Sequence, residues 1–278
     1  MRHPRRKIAL GATAGAVGAA WSLFESQWVE RRETAVPIAG LPAALDGFRI
    51  LHLSDLHLGT LSLGGRALDR AVAWSREARP DVVVVSGDLV TRRGGKAKLE
   101  DALARLDALR GIFAVLGNHD VDDARDPFTR PTDLSDLHRA GAVLLRDDER
   151  VIEVEGARVQ LVGVDPASYK RRSSRPAARA ARAADVRILL CHYPDVVRTL
   201  PPGVFELVLA GHLHGGQICL PTPWGKLRLK DLRATHWDGL VETPAGLLHV
   251  SRGLGTTFVP FRFLARPEAT LLRLERAH

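Results

Sequence analysis

Cysteine is nearly absent: Cys191 and Cys219 are the only two in 278 residues. They are too few for a disulfide scaffold and lack the paired spacing of a zinc knuckle, so the chain must rely on an apolar core. A G-x-S-x-G nucleophile elbow and a P-loop are also missing, which leaves acyl transfer and nucleotide-driven work without support. Neither an internal repeat nor a second domain boundary is visible. Basic charge is scarce outside two places. Of the formal charge of +8, residues 1–24 supply four basic side chains and no acid, and segment 170–187 has a net charge of +6, leaving −2 for everything else. A protein that tracks nucleic acid carries a basic stripe along its binding face, so nucleic acid is not the favoured partner.

What is present begins with 45% apolar residues, enough for one sizeable core. At the N-terminus Arg5, Arg6 and Lys7 precede an uncharged, Ala- and Gly-rich stretch from Ile8 to Phe24. Its length is at the short edge of what crosses a hydrocarbon core of ~30 Å at ~1.5 Å per residue. Residues 1–24 are therefore expected to be a membrane anchor or an export signal of twin-arginine type, cleavable near Gly18, Ala19 and Ala20. Basic residues stay on the cytoplasmic side, which places the remainder outside the cell membrane, anchored or exported. Residues 25–47 read as a linker and 48–278 as the catalytic domain.

Strand and helix patterns alternate from Phe48 onward. Expected strands are Phe48–Ser54, Asp81–Ser86 and Ile112–Leu116, with helices over Gly65–Ala78 and Lys96–Leu109, the signature of parallel crossovers. From Ala142 strands come faster, which suits hairpins in a second, more antiparallel sheet, and 174–184 reads as a helix. The expected fold class is α/β: two packed mixed β-sheets flanked by helices, a four-layer sandwich.

Five polar clusters sit immediately after these strands: Asp55-x-His57, Gly87-Asp88, Gly117-Asn118-His119-Asp120, Cys191-His192 and Gly211-His212-x-His214. The carboxyl ends of strands in open α/β sheets face one crevice, so distant loops converge there. The mixed oxygen and nitrogen set suits Mn, Fe or Zn better than Ca or Mg. Alternate residues of an extended segment point to one side, so Asp55 and His57 can grip one ion, while His212 and His214 can serve neighbouring ions. Asp88, with two oxygens, is the natural bridge. Five of the eleven histidines fall in these clusters, and a purely structural role would leave costly unpaired polar atoms at buried strand ends.

This ordered series resembles the calcineurin-like metallophosphoesterase superfamily over residues 48–275. The stretch from Gly211 to Gln217, with Leu220, Pro221, Arg262, Pro267 and Glu268, looks like a bacterial membrane-associated branch containing twin-arginine-exported phosphoesterases and relatives of UDP-2,3-diacylglucosamine hydrolases. The resemblance implies two divalent metal ions, manganese first with iron or zinc as alternatives. One would be held by Asp55, His57, Asp88 and His214, the other by Asp88, Asn118, His192 and His212. It further implies that His119 is catalytic, with Asp120 orienting it, although many relatives carry Glu at that last position. The expected chemistry is a single in-line displacement by metal-activated water.

The substrate class is expected to be a lipid-linked or nucleotide-lipid pyrophosphate or phosphodiester at the membrane. A nuclease or cyclic-nucleotide phosphodiesterase is the alternative enzyme, and a non-catalytic metal-binding scaffold the alternative of another kind. The basic segment 170–187 reads as a solvated helix face or an anion-binding surface. The apolar loop Phe258–Leu264 reads as core closure or an acyl-accepting rim. Tyr193, Trp224 and His236 lie near the motifs without an assigned role.

Overall fold

Val82, Val83, Val84 and Val85 are all buried, in two opposite directions. Successive side chains of a strand point to opposite faces. Val82 and Val84 accordingly enter a core between two sheets, and Val83 and Val85 a second core under helices. A strand sealed on both sides reads as an unbroken apolar run, and this one sets the layers of the molecule.

The computed structural model describes residues 4–60, 64–121, 129–181, 183–228 and 234–277; residues 1–3 of the expected anchor lie outside them. Its elements are α1 (Pro4–Glu25), β1 (Glu30–Ile38), β2 (Arg49–Leu53), α2 (Gly64–Ala78), β3 (Val82–Ser86), α3 (Lys96–Arg105), β4 (Ile112–Val115) and β5 (Ala142–Leu144). The second half adds β6 (Glu149–Val154), β7 (Ala157–Gly163), α4 (Pro166–Lys170), α5 (Pro176–Arg179), β8 (Val186–Leu190), β9 (Leu207–Ala210), β10 (Cys219–Thr222), β11 (Gly225–Arg228), β12 (Gly239–Thr243), β13 (Gly246–Val250) and β14 (Glu268–Arg276).

Two six-stranded mixed sheets face each other, in the orders β1-β14-β2-β3-β4-β5 and β12-β13-β9-β8-β7-β6. The expected α/β class of two packed sheets is borne out. Helix α2 buries Ala67, Leu68, Ala71, Val72 and Ala78, and α3 buries Leu99, Ala102 and Leu103, at the three- and four-residue spacing of one helical face. Both cover the outside of the first sheet. On the outside of the second sheet, Val162, Leu189, Val208 and Leu248 pack under loops and short turns.

Three expectations change. The second sheet is mainly parallel: β7, β8, β9 and β13 run the same way, and only the edge strands β6 and β12 are antiparallel. Short 3-10 turns make some of its crossovers, so the sequence shows no long helix to announce them. The expected helix over 174–184 is confined to Pro176–Arg179, because proline opens it and the following residues return to strand β8. Within the expected linker 25–47, residues 30–38 form edge strand β1, paired in parallel with β14 over its whole length. Its alternating burial hides among charged residues, since only one face is covered. Among the described residues no helix is long and apolar enough to cross a membrane.

Candidate metal centre

The carboxyl ends of β2, β3, β4, β8 and β9 meet at one rim of the sandwich. Backbone bonds join them: Asp55 N–H donates to Gly87 O at 2.9 Å, His57 N–H to Asp88 O at 2.9 Å, and Gly211 N–H to His192 O at 3.1 Å. The amide of His119 donates to Asp88 Oδ1 at 2.9 Å, and that of His212 to both carboxylate oxygens of Asp55 at 3.1–3.2 Å. Five turns far apart in sequence therefore form one hydrogen-bonded assembly.

Two glycines leave the room for this. A Cβ at Gly117 would collide with the carboxylate of Asp88, and one at Gly211 with Ser54 Oγ and Asp55. The turns themselves depart from the extended geometry expected from the Asp-x-His and His-x-His spacing. Asp55, His57, Asp88, His212 and His214 all have positive φ, between 47° and 75°. Asp and His tolerate this left-handed region better than most residues, and such backbone persists where its surroundings over-determine it. In both pairs the one-residue gap brings the side chains to the centre through paired left-handed turns.

One ligand atom from each of Asp55, His57, Asp88 and His214 lies within 4.8 Å of the others, and Asp88, His192 and His212 form a second such group. Asp88 belongs to both. His214 Nε2 is 3.2 Å from Asp55 Oδ1, His57 Nε2 is 3.5 Å from Asp88 Oδ2, and His192 Nε2 is 3.2 Å from the same oxygen. The imidazoles also confront one another, His57 Nε2 to His214 Nε2 at 3.1 Å and His212 Nδ1 to His192 Nε2 at 3.2 Å. Asn118 Oδ1 is buried and has no hydrogen-bond partner among the described residues. Converging ring nitrogens and carboxylate oxygens, with an acceptor left over, are the donor set that a pair of divalent cations satisfies.

The outer nitrogens are held as metal-binding histidines require. His57 Nδ1 meets Thr91 Oγ1 at 3.0 Å, and His192 Nδ1–H donates to Ser86 O at 2.9 Å, leaving Nε2 of each toward the centre. Burial alone would raise the pKa of Asp55, yet the charge of His214 and hydrogen bonds from His214 and His57 hold it well below the usual range. Asp88 is lowered in the same way, His192 outweighing its burial. Burial works against a charge on His192, but Asp88 beside it lifts its pKa to about 9. Without metal, a proton on His192 balances the carboxylates.

His119 lies at the edge of this assembly, its ring 4.6 Å from that of His57 and edge-on to it. Its Nδ1 meets Thr129 Oγ1 at 2.7 Å. The expected orientation by Asp120 is not what the structure shows. The Asp120 carboxylate accepts from the amides of Gly117 at 2.8 Å, Leu89 at 3.1 Å and Val90 at 2.9 Å, tying the β4 turn to the β3 turn. So short a side chain folds back on its own turn. Burial and the charge of Asp88 raise its pKa to about 6, against the pull of those amides.

Thr91 and Thr129 carried no sequence signal, being single threonines outside the clusters. Arg262 did carry one, and it is fully buried. It donates to the carbonyls of Arg252 at 2.8 Å, Gly253 at 3.1 Å, Gly255 and Ala265, clamping the loop whose Gly255 amide bonds to Asp55 O at 2.7 Å.

A parallel-sheet rim presenting two ligand groups with a shared carboxylate defines a hydrolase of the binuclear metal class. The chain belongs to the calcineurin-like phosphoesterase family, which it matches over residues 48–216. Among its relatives, the uncharacterized metallophosphoesterase YkoQ of Bacillus subtilis is 31% identical, over 83% of this chain and 84% of its own. YkuE of the same organism, also an uncharacterized metallophosphoesterase, is 28% identical over 96% and 93%. The phosphodiesterase YaeI of Escherichia coli is 30% identical over 82% of each chain.

Proposed function

We propose that the protein is a binuclear phosphodiesterase or pyrophosphohydrolase acting at a membrane on a lipid-linked or nucleotide-lipid substrate. The observation that carries the chemistry is Asp88, common to two ligand groups. Diester cleavage is supported by the likeness to phosphodiesterase YaeI. Two divalent cations, manganese first with iron or zinc as alternatives, would be held by Asp55, His57, Asp88 and His214 and by Asp88, Asn118, His192 and His212. Bound there, they supply Lewis acidity that neutralises phosphoryl oxygens and acidifies a water. His119, held at Nδ1 by Thr129, is the acid that protonates the leaving oxygen. Asp120 fixes the turn carrying Asn118 and His119.

The membrane part rests on where apolar surface is left exposed. Among the described residues, nine of eleven exposed large apolar side chains fall in segments 17–28, 220–227 and 258–259. These segments adjoin: Arg262 N–H donates to Ser22 O at 3.2 Å, Lys226 Nζ to Leu264 O at 2.7 Å, and Gln217 Nε2 to Val259 O at 3.2 Å. The face carries Trp21, Phe24, Trp28, Trp224 and Phe258, the aromatic composition of a membrane-interface belt, with Arg266 stacked 3.8 Å above the Trp28 ring.

The test is hydrolysis of bis(p-nitrophenyl) phosphate by metal-stripped protein given Mn, beside flotation with phosphatidylglycerol vesicles. Activity restored by Mn, and flotation lost in the pair Trp224→Ser and Phe258→Ser, is the expected result. No activity with two metals bound per chain would favour a scaffold, and flotation that survives both substitutions would remove the membrane.

A further inference from the structure

His212 belongs to the ligand group that reaches the surface, and a cavity of about 180 Å³ opens directly beside it, lined by Tyr169, Lys170, Tyr193, Asp195 and His236. The Tyr193 ring packs edge-on to His212 at 4.9 Å and stacks on Tyr169 at 4.8 Å, so the two phenol rings form the floor that leads away from the metal centre. Lys170 Nζ stands 5.8 Å from the centre of the Tyr193 ring. Through a wall shared at Tyr169, Lys170 and Asp195, this small cavity adjoins a larger one of about 760 Å³.

Charge in the larger cavity is almost all of one sign. Lys170, Arg172, Arg175 and Arg198 line it, and Asp195 is the single carboxylate among its described lining residues. Asp195 is within 3.4 Å of Arg198 and offsets its charge. Arg175 is held to the carbonyls of Arg172 and Ser174 at 2.8 and 2.9 Å, which fixes its guanidinium in place without neutralising it. The basic segment 170–187, read from the sequence as a solvated helix face or an anion-binding surface, holds only a short helix at Pro176–Arg179, and its residues from Lys170 to Ala178 line this cavity. Arginine forks and a lysine around one concave space concentrate positive potential where an anionic group can sit.

We propose that this cavity is a subsite for a second phosphate carried by the substrate, held by Lys170, Arg172, Arg175 and Arg198 while the scissile phosphate occupies the metal centre. The proposal rests on the phosphoesterase reading and deepens it: the substrate is a diester with a further phosphate set several bonds away from the one that is cleaved, and Tyr193 lies beneath the spacer between them.

Two chromogenic esters test it with the full-length, Mn-loaded protein: p-nitrophenyl thymidine 5′-phosphate and its 3′-phosphorylated form, which differ by one phosphate away from the bond that breaks. Wild type is expected to show a KM about tenfold lower for the phosphorylated ester, as partly solvated charge-assisted hydrogen bonds allow. The ratio should fall to about one in the double variant Arg175→Ala, Arg198→Ala, and persist in Arg105→Ala, whose guanidinium pairs with Asp69 across the helices outside the first sheet. Equal KM values in wild type, or a ratio that survives the double variant, would overturn the subsite and leave the phosphoesterase reading standing. Should the double variant fail to fold, the wild-type ratio decides, since about 0.5 M KCl screens these cations and should compress it; a ratio unmoved by salt overturns the proposal. Weakened inhibition by free inorganic phosphate in the double variant, with the ester ratio intact, would make the cavity a free-anion site and overturn it too. Hydrolysis of neither ester by wild type would remove the phosphoesterase reading and the subsite with it.

Discussion

The two ligand groups share Asp88 and differ in almost everything around it. Asp55, His57, Asp88 and His214 are all at most 1% exposed, Thr91 holds His57, and the loop clamped by Arg262 supports Asp55. His192 is equally buried, but Asn118 is 7% exposed, and His212 is half-buried with an open cavity beginning beside it. The first group is closed off from solvent and the second opens toward it at His212. Shielding from water strengthens the pairing of charges in the first more than in the second.

That contrast can be broken at its hinge. Replacing the common ligand, Asp88→Asn, should release both ions and lower hydrolysis by on the order of 1,000-fold or more; elemental analysis showing full metal content would mean that the groups are not joined through Asp88. Next in size, His119→Ala should cost about 100-fold to 10,000-fold in turnover with both metals retained, the outcome that the proposed role of the ring as acid for the leaving oxygen requires. A loss of metal in that variant would recast His119 as a ligand. The asymmetry itself is read by comparing His212→Ala with His214→Ala. The first should lose one ion to a chelator and keep the other, with affinity down about 10–100-fold at one site, whereas the second should weaken the deeper ion. Equal release from both variants would erase the difference.

pH sharpens the same comparison. In the metal-free protein His192 keeps its proton up to about pH 9, and an ion entering its group must expel that proton. Apparent affinity for the more accessible ion should therefore climb by about tenfold per pH unit from roughly pH 6.5 toward 9. Calorimetry in buffers of different ionisation enthalpy should detect the released proton; a flat profile would show that His192 is already neutral. Smallest is Thr129→Val, expected to lower turnover about threefold to tenfold without touching metal content, by freeing the His119 ring.

Much of the centre was legible because each cluster follows a strand, and a parallel sheet sends such residues to one rim. Asp55, His57, Asp88, Asn118, His192, His212 and His214 gather there, as their positions implied. The local reason was different, for paired left-handed turns do the work that extended alternation was expected to do. Asp120 shows why neighbours in sequence mislead: adjacency to His119 suggested a pair, but the nearer amides of its own turn and of β3 take the carboxylate. Thr129 illustrates the opposite case, a residue ten positions from His119 whose contact depends on a loop path that no periodicity records. Strand β1 was masked by its charges, and the parallel character of the second sheet by its short crossovers.

The links between the two sheets at the rim have a mechanical consequence. Asp55 on the first sheet receives the amide of His212 from the second, and His192 from the second donates to Ser86 O on the first. These bonds act as rivets, so sliding one sheet over the other would tear the ligand set apart before it opened a path. The β10–β11 hairpin and the 258–264 loop both attach to the turn that follows His214, at Gln217 and Cys219, so a displacement of either would reach the more buried ligand group through a few residues of chain.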